Sequence, residues 1–159
     1  MKIHYLATAR IPSKSANSLQ IVKMCEAISK QNHQIKLIIP NLKNLKCSVK
    51  SYYDLKYNFK IIRVGKKINL LNKINNILLP LKIFIKSIFL KCDIVITRNL
   101  FISLLLISIN KKHIFEIHDD LAISGNILSK LFKFFGLLNS PSIIKLVFIT
   151  LSLKKHISK

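Results

Sequence analysis

Short runs of Ile, Val, Leu and Phe recur along this chain, and several lack polar interruptions. Asp93 to Thr97 carries Ile-Val-Ile, and Lys112 to Ile117 carries Ile-Phe-Glu-Ile. Successive strand residues point to opposite faces, so a strand that does not alternate apolar with polar is one buried on both sides. Between these runs lie longer segments with apolar residues three and four positions apart, the spacing of a helix face. Strand and helix therefore alternate. That order predicts an α/β fold, a Rossmann-like three-layer domain in which helices cover both faces of a mostly parallel sheet.

Residue by residue, Lys2 to Ala7 is expected as the first strand, followed by a polar loop with Pro12, Ser13, Lys14 and Ser15. Asn17 or Ser18 is placed to cap the next helix, whose Ile21, Met24, Cys25 and Ile28 share one side. Gln34 to Ile39 is the second expected strand, ended by Pro40, and Phe59 to Val64 the third, ended by Gly65. Asn41 to Asn58 is an irregular rim with room for a short helix or strand. Leu70 to Leu90 is helical in spacing, but Pro80 lacks an amide proton and is expected to split or kink it near Leu79. Then follow strand Asp93 to Thr97, helix Leu100 to Ile109, strand Lys112 to Ile117, helix Ile127 to Leu138, strand Lys145 to Ile149 and a last helix, Leu151 to Ile157.

Several functional classes are disfavoured by what is missing. Gly occurs only at 65, 125 and 136, so no Gly-rich phosphate cradle follows the first strand, and neither GxGxxG nor GxxxxGK[ST] is present. HExxH and GxSxG are absent too, and no metal-ligand spacing is found, so no metal is expected. Cys25, Cys47 and Cys92 form no CxxC and are an odd number, which fits buried thiols in a reducing compartment better than a disulfide scaffold. No apolar run reaches the roughly 18 to 20 residues of a membrane span. The start, Met1-Lys2, lacks a secretory pattern. A cytoplasmic chain is expected, with peripheral attachment to the inner membrane face left open.

The formal net charge of +21 favours polyanionic company, although all but three of the 27 basic residues are Lys, as a compositional bias would also produce. Lys is spread along the whole chain, and Phe84, Phe89, Phe132 and Phe135 fall in apolar positions that suit core packing, so no specific nucleic-acid partner is expected. Lys82, Lys86 and Lys91 on an Ile/Leu/Phe-rich segment, and Lys130 and Lys133 beside Phe132, Phe134 and Phe135, resemble segments that lie on an anionic membrane; amphipathic core helices have the same pattern.

The densest polar cluster is Glu116-Ile117-His118-Asp119-Asp120. Glu116 and His118, two apart, project to the same side at the carboxyl end of a buried strand, where open α/β sheets display their chemistry. His118 is suited to proton transfer or to hydrogen bonding with a substrate hydroxyl. The competing reading is a strand-ending loop in which Asp119 or Asp120 caps a helix. Arg98, at another carboxyl end, is suited equally to a ligand anion or to an internal ion pair with Glu116. The loop from Arg10 to Asn17 brings Ser13, Lys14, Ser15 and Asn17 to a helix N-terminus, which favours anions; a plain solvated connection is the other reading.

Pro12 to Ala27 with Asn32-His33-Gln34-Ile35, then Asp93-Ile94-Val95-Ile96-Thr97-Arg98-Asn99, then Phe115-Glu116-Ile117-His118-Asp119 resemble, in that order, stretches of the N-terminal domain of two-domain glycosyltransferases of family 4. The resemblance runs through Phe148-Ile149-Thr150. It implies the acceptor-side half of a GT-B enzyme that moves a sugar from a nucleotide-sugar donor to a hydroxyl of a glycan or lipid-linked acceptor, of the cell-envelope polysaccharide kind, without cofactor or metal. His118 is then expected to face the reacting sugar, with Glu116, Arg98 and Asp119 supporting the cleft wall. Ser13, Lys14, Ser15 and Asn17 would approach the donor phosphates or the acceptor. Relatives often carry Gly in that loop, and this chain has none. The donor-binding C-terminal domain with its two-glutamate motif is not among the 159 residues, so they are expected to be inactive alone and to need it as a partner, whether on a separate chain or not. The alternative is a non-catalytic basic α/β module that binds a membrane surface or a protein.

Overall fold

The computed structural model describes residues 1–42, 47–68, 73–118, 136–148 and 150. Its strands are β1 (Lys2–Leu6), β2 (Gln34–Leu42), β3 (Lys60–Ile68), β4 (Ile94–Thr97), β5 (His113–Ile117) and β6 (Ile143–Phe148); its helices are α1 (Ala16–Lys30), α2 (Val49–Tyr52), α3 (Lys73–Ile88) and α4 (Leu100–Ser108). The strands form one all-parallel sheet in the order β3-β2-β1-β4-β5-β6, as expected of a Rossmann-like α/β fold. The chain divides into two compact units, Met1–Ile94 and Val95–Lys159.

In the first unit, β1 pairs with β2 from Lys2↔Gln34 to Leu6↔Ile38, and β2 pairs with β3 from Lys36↔Lys60 onward. Ile3, His4, Tyr5 and Leu6 are buried in succession, and so are Leu37, Ile38 and Ile39. Since neighbours point to opposite faces, both faces are covered, which is the reason these runs carry no alternation.

Four expectations need correction here. α1 is capped by neither Asn17 nor Ser18 but by Ser15, whose Oγ accepts the Ser18 amide proton at 3.2 Å; the helix starts earlier, at Ala16, and buries Ser18 with Ile21, Val22 and Cys25. Pro40 and Gly65 do not end β2 and β3. The register shifts between Pro40↔Val64 and Leu42↔Ile68, so the irregularity falls at a residue with no amide proton to give the ladder. Gly65 takes φ 89° there, and Asn41 Nδ2 donates to its carbonyl at 3.3 Å. Of the split or kink expected at Pro80, the split does not occur: α3 runs unbroken past it. An interior Pro costs about 3 kcal/mol; the buried side chains of Leu79, Ile83 and Phe84 at about 1.5–3 kcal/mol each outweigh it. The thiols are not uniformly buried: Cys25 is, Cys47 is exposed, and Cys92 is between the two. In the region expected to be irregular, α2 is the short helix, capped by Ser48.

In the second unit, β4 pairs with β5 (Val95↔His113 to Thr97↔Phe115) and β5 with β6 (Ile114↔Lys145 to Ile117↔Phe148). Asn99 caps α4 by accepting the Ile102 amide proton at 3.0 Å. Where the expected helix Ile127 to Leu138 is described, it is not helical in that form. Gly136 is left-handed at φ 58°, and Leu137–Asn139 make a 3-10 turn. Residues 127–135 and the expected helix Leu151 to Ile157 lie outside the described residues.

His113 starts β5 fully buried. Its Nδ1–H donates to the Lys111 carbonyl at 3.0 Å, which leaves Nε2 to accept from Ser103 Oγ of α4 at 2.8 Å. Burial holds its pKa below the usual 6.5. A folded pKa lower than the unfolded one means that only the unfolded chain takes up a proton as pH falls below 6.5, so stability drops there. Urea unfolding at pH 7.5 and pH 5.5 will show that drop. His113→Gln will remove much of the pH dependence and cost about 1–3 kcal/mol at neutral pH through the lost hydrogen bonds.

Candidate functional site

Glu116 is the fourth residue of β5, with its side chain 4% exposed. A carboxylate so far from water must be paired or become neutral. Arg98, the first residue after β4, meets it: Nη2 donates to Glu116 Oε2 at 2.8 Å, and the Arg98 side chain is itself only 9% exposed. The internal ion pair with Glu116, one of the two uses open to Arg98, is formed. His118, the first residue after β5, approaches the same oxygen through Nε2 at 3.4 Å. Its side chain is 20% exposed, the most accessible of the three.

The parallel pairing of β4 and β5 generates this cluster. Thr97 lies opposite Phe115, so Arg98 follows where Glu116 sits, and His118 is two residues further along β5 on the same side. A carboxylate accepts and cannot donate, so the contact requires a hydrogen on His118 Nε2. This arrangement can hold the ring in one orientation and stabilise positive charge on it. Asp119 lies outside the described residues, as do Asp120 and the basic-aromatic segment around Lys130 and Lys133.

The loop before α1 has a different character. The hydroxyls of Ser13, Ser15 and Ser18 converge, at 2.7 Å (Ser13–Ser18), 2.8 Å (Ser15–Ser18) and 3.0 Å (Ser13–Ser15), and Ser18 Oγ donates to the Arg10 carbonyl at 2.7 Å. The Ser13 amide proton is donated to Tyr53 Oη at 2.8 Å, and the Tyr53 hydroxyl is donated back to the Ser13 carbonyl at 2.7 Å. Arg63 Nη1 donates to the Ile11 carbonyl at 3.2 Å. Lys14 and Asn17 are exposed on this pinned loop. It is therefore more than a loose solvated connection. Tyr53 and Arg63 escaped the sequence reading because their partners lie 40 and 52 positions away and no spacing signals them.

Glu26 is a second fixed carboxylate in the first unit. It accepts from the amides of Lys56 (2.6 Å) and Tyr57 (3.3 Å) and pairs with Lys23 at 2.8 Å. The Lys23 hydrogen bond first, and then the amide donors, hold its carboxyl below the usual range. An open concavity of about 480 Å³ lies beside it, lined by Lys30 and Tyr53 among others. Through those two amide protons Glu26 joins α1 to the segment after α2. Among the described residues, no three His, Cys, Asp or Glu side chains gather as a metal would require.

No family model matches the sequence, and no curated protein matches it either.

Two substitutions test this geometry. Arg98→Met leaves Glu116 in the interior without its main counter-charge and will lower unfolding free energy by about 3–5 kcal/mol; Arg98→Met with Glu116→Leu will recover most of that loss, as measured by urea denaturation. Tyr53→Phe removes both hydrogen bonds to Ser13, will cost about 1–3 kcal/mol and will speed exchange of the Ser13 amide proton. An unchanged exchange rate would contradict the pinned loop.

Proposed function

We propose that the chain forms the acceptor-side wall of a glycosyltransferase, moving a sugar from a nucleotide-sugar donor to a hydroxyl of a glycan or lipid-linked acceptor. The observation that carries this reading is the Glu116 carboxylate holding both Arg98 and His118, with His118 the member most open to solvent, at the carboxyl ends of adjacent parallel strands. Such strand ends are where α/β sheets bind ligands. The resemblance of the three stretches around Ser13, Arg98 and His118 to family 4 glycosyltransferases gives the reaction class.

In this reading, His118 contacts the sugar hydroxyls. With Nε2–H directed at Glu116, the carboxylate holds the ring in place and stabilises positive charge on it as it meets a substrate hydroxyl. Glu116 and Arg98 are positioning residues that keep the imidazole from rotating. Lys14, exposed on a loop anchored by Tyr53, is available to a phosphate of the donor or to the acceptor. Transfer also requires the donor to be held in register with the acceptor and water to be excluded. One wall does neither, so the reaction needs a donor-binding domain in addition to these residues.

Saccharide binding to the chain itself tests the reading. A panel of mono- and disaccharides titrated to millimolar concentration is expected to shift the NMR signals of His118 and the Arg98 guanidinium. His118→Ala is expected to weaken binding at least tenfold and to leave the unfolding midpoint nearly unchanged. Shifts confined to residues remote from His118, or equal binding by the variant, would contradict it.

A further inference from the structure

α3 packs against β1, β2 and β3. Leu79, Ile83, Phe84 and Ser87 are buried there. The opposite side is not polar, as an exposed helix face usually is. Leu78 is 42% exposed, Ile85 43%, Ile88 51%, and Phe89 81%. Phe89 was expected in the core by its apolar setting; it is the most exposed large apolar side chain among the described residues. Phe89 directly follows α3, and its amide proton is donated to the Ile85 carbonyl at 3.4 Å, which continues the helical spacing by one residue and sets it beside Ile85. Lys82 and Lys86 are interleaved with these residues and Lys91 follows; all three are exposed, and no acidic residue occurs between Lys73 and Lys91.

We propose that this face of α3 is a docking surface for an anionic lipid bilayer, with Phe89 and Ile85 entering the headgroup boundary and Lys82, Lys86 and Lys91 meeting the lipid phosphates. The inference is independent of the transferase reading. Two features select lipid over a protein partner or a second copy. Lysines are depleted from the cores of protein interfaces because their charge must be desolvated, yet here they sit within the apolar stripe. At a bilayer the same side chains lay their stems along the apolar zone and extend the ammonium to the phosphates. The stripe from Leu78 to Phe89 is also only about 17 Å long at the helical rise, so the helix lies in the plane of the interface. No helix among the described residues is long and apolar enough to cross a membrane.

The chain contains no Trp, which makes a direct test possible. Phe89→Trp places a single reporter on the stripe, and Tyr57→Trp places one on an exposed aromatic position off it. Vesicles of phosphatidylglycerol and phosphatidylcholine in equal parts are expected to shift the emission of the Phe89→Trp protein to the blue. Brominated acyl chains are expected to quench it, while the Tyr57→Trp protein stays unchanged. Lys82→Gln with Lys86→Gln is expected to weaken the binding by about fivefold per lysine, and Ile85→Ser by about tenfold. If both reporters respond equally, the +21 charge binds the vesicles non-specifically and the proposal falls. It falls equally if the Phe89→Trp emission shifts with protein concentration in the absence of lipid, since a second copy then covers the stripe.

Discussion

A parallel strand cannot be joined to its neighbour by a tight turn, so each connection has to cross a face of the sheet before the next strand begins. Two consequences run through this molecule. The strands lose contact with water on both sides, which demands the unbroken apolar writing of Tyr5-Leu6, Leu37-Ile38-Ile39 and Val95-Ile96. Paired strands also finish side by side, which gathers polar groups that are distant in sequence. Arg98 and Glu116 are 18 positions apart and meet at 2.8 Å for that reason alone.

Once gathered, those groups are governed by desolvation. Taking a charge out of water is costly without a counter-charge, and Glu116 at 4% exposure and Arg98 at 9% supply one another's. The pair therefore has a constraining role that exceeds its net contribution to stability: it fixes an oxygen whose position is set by the sheet and offers it to His118. The ring inherits a tautomer and an orientation from a rigid element. The loop before α1 reaches rigidity by another route, through neutral hydroxyls and a Tyr53 clamp, and keeps its one lysine outside.

Much of this was visible before any coordinates. The strands and their parallel direction were legible because burial on two faces writes itself into every residue of a strand. So was the shared side of Glu116 and His118, since a period of two is a property of the backbone. Pro40 and Gly65 misled because a strand stop and a bulge use the same residues, and only the partner strand distinguishes them. Asn17 and Ser18 were read as caps too late in the chain, because Ser15, Asn17 and Ser18 all carry cap-type side chains within a few positions and spacing alone does not choose among them. Phe89 looked like core because hydrophobicity does not say which side of a helix is covered. Tyr53 left no local trace at all.

The account assigns different tasks to different faces: strand ends that carry paired charge and an oriented imidazole, and a helix flank that presents lysines and an aromatic ring. The orientation of His118 is what the site reading depends on. Nitrogen-15 NMR of the histidine rings measures it directly. The account predicts that His118 at neutral pH carries its hydrogen on Nε2 and that Glu116→Gln converts it toward the mixture of tautomers seen in a freely rotating ring. A His118 ring with hydrogen on Nδ1 alone, or one whose signals ignore Glu116→Gln, would contradict it.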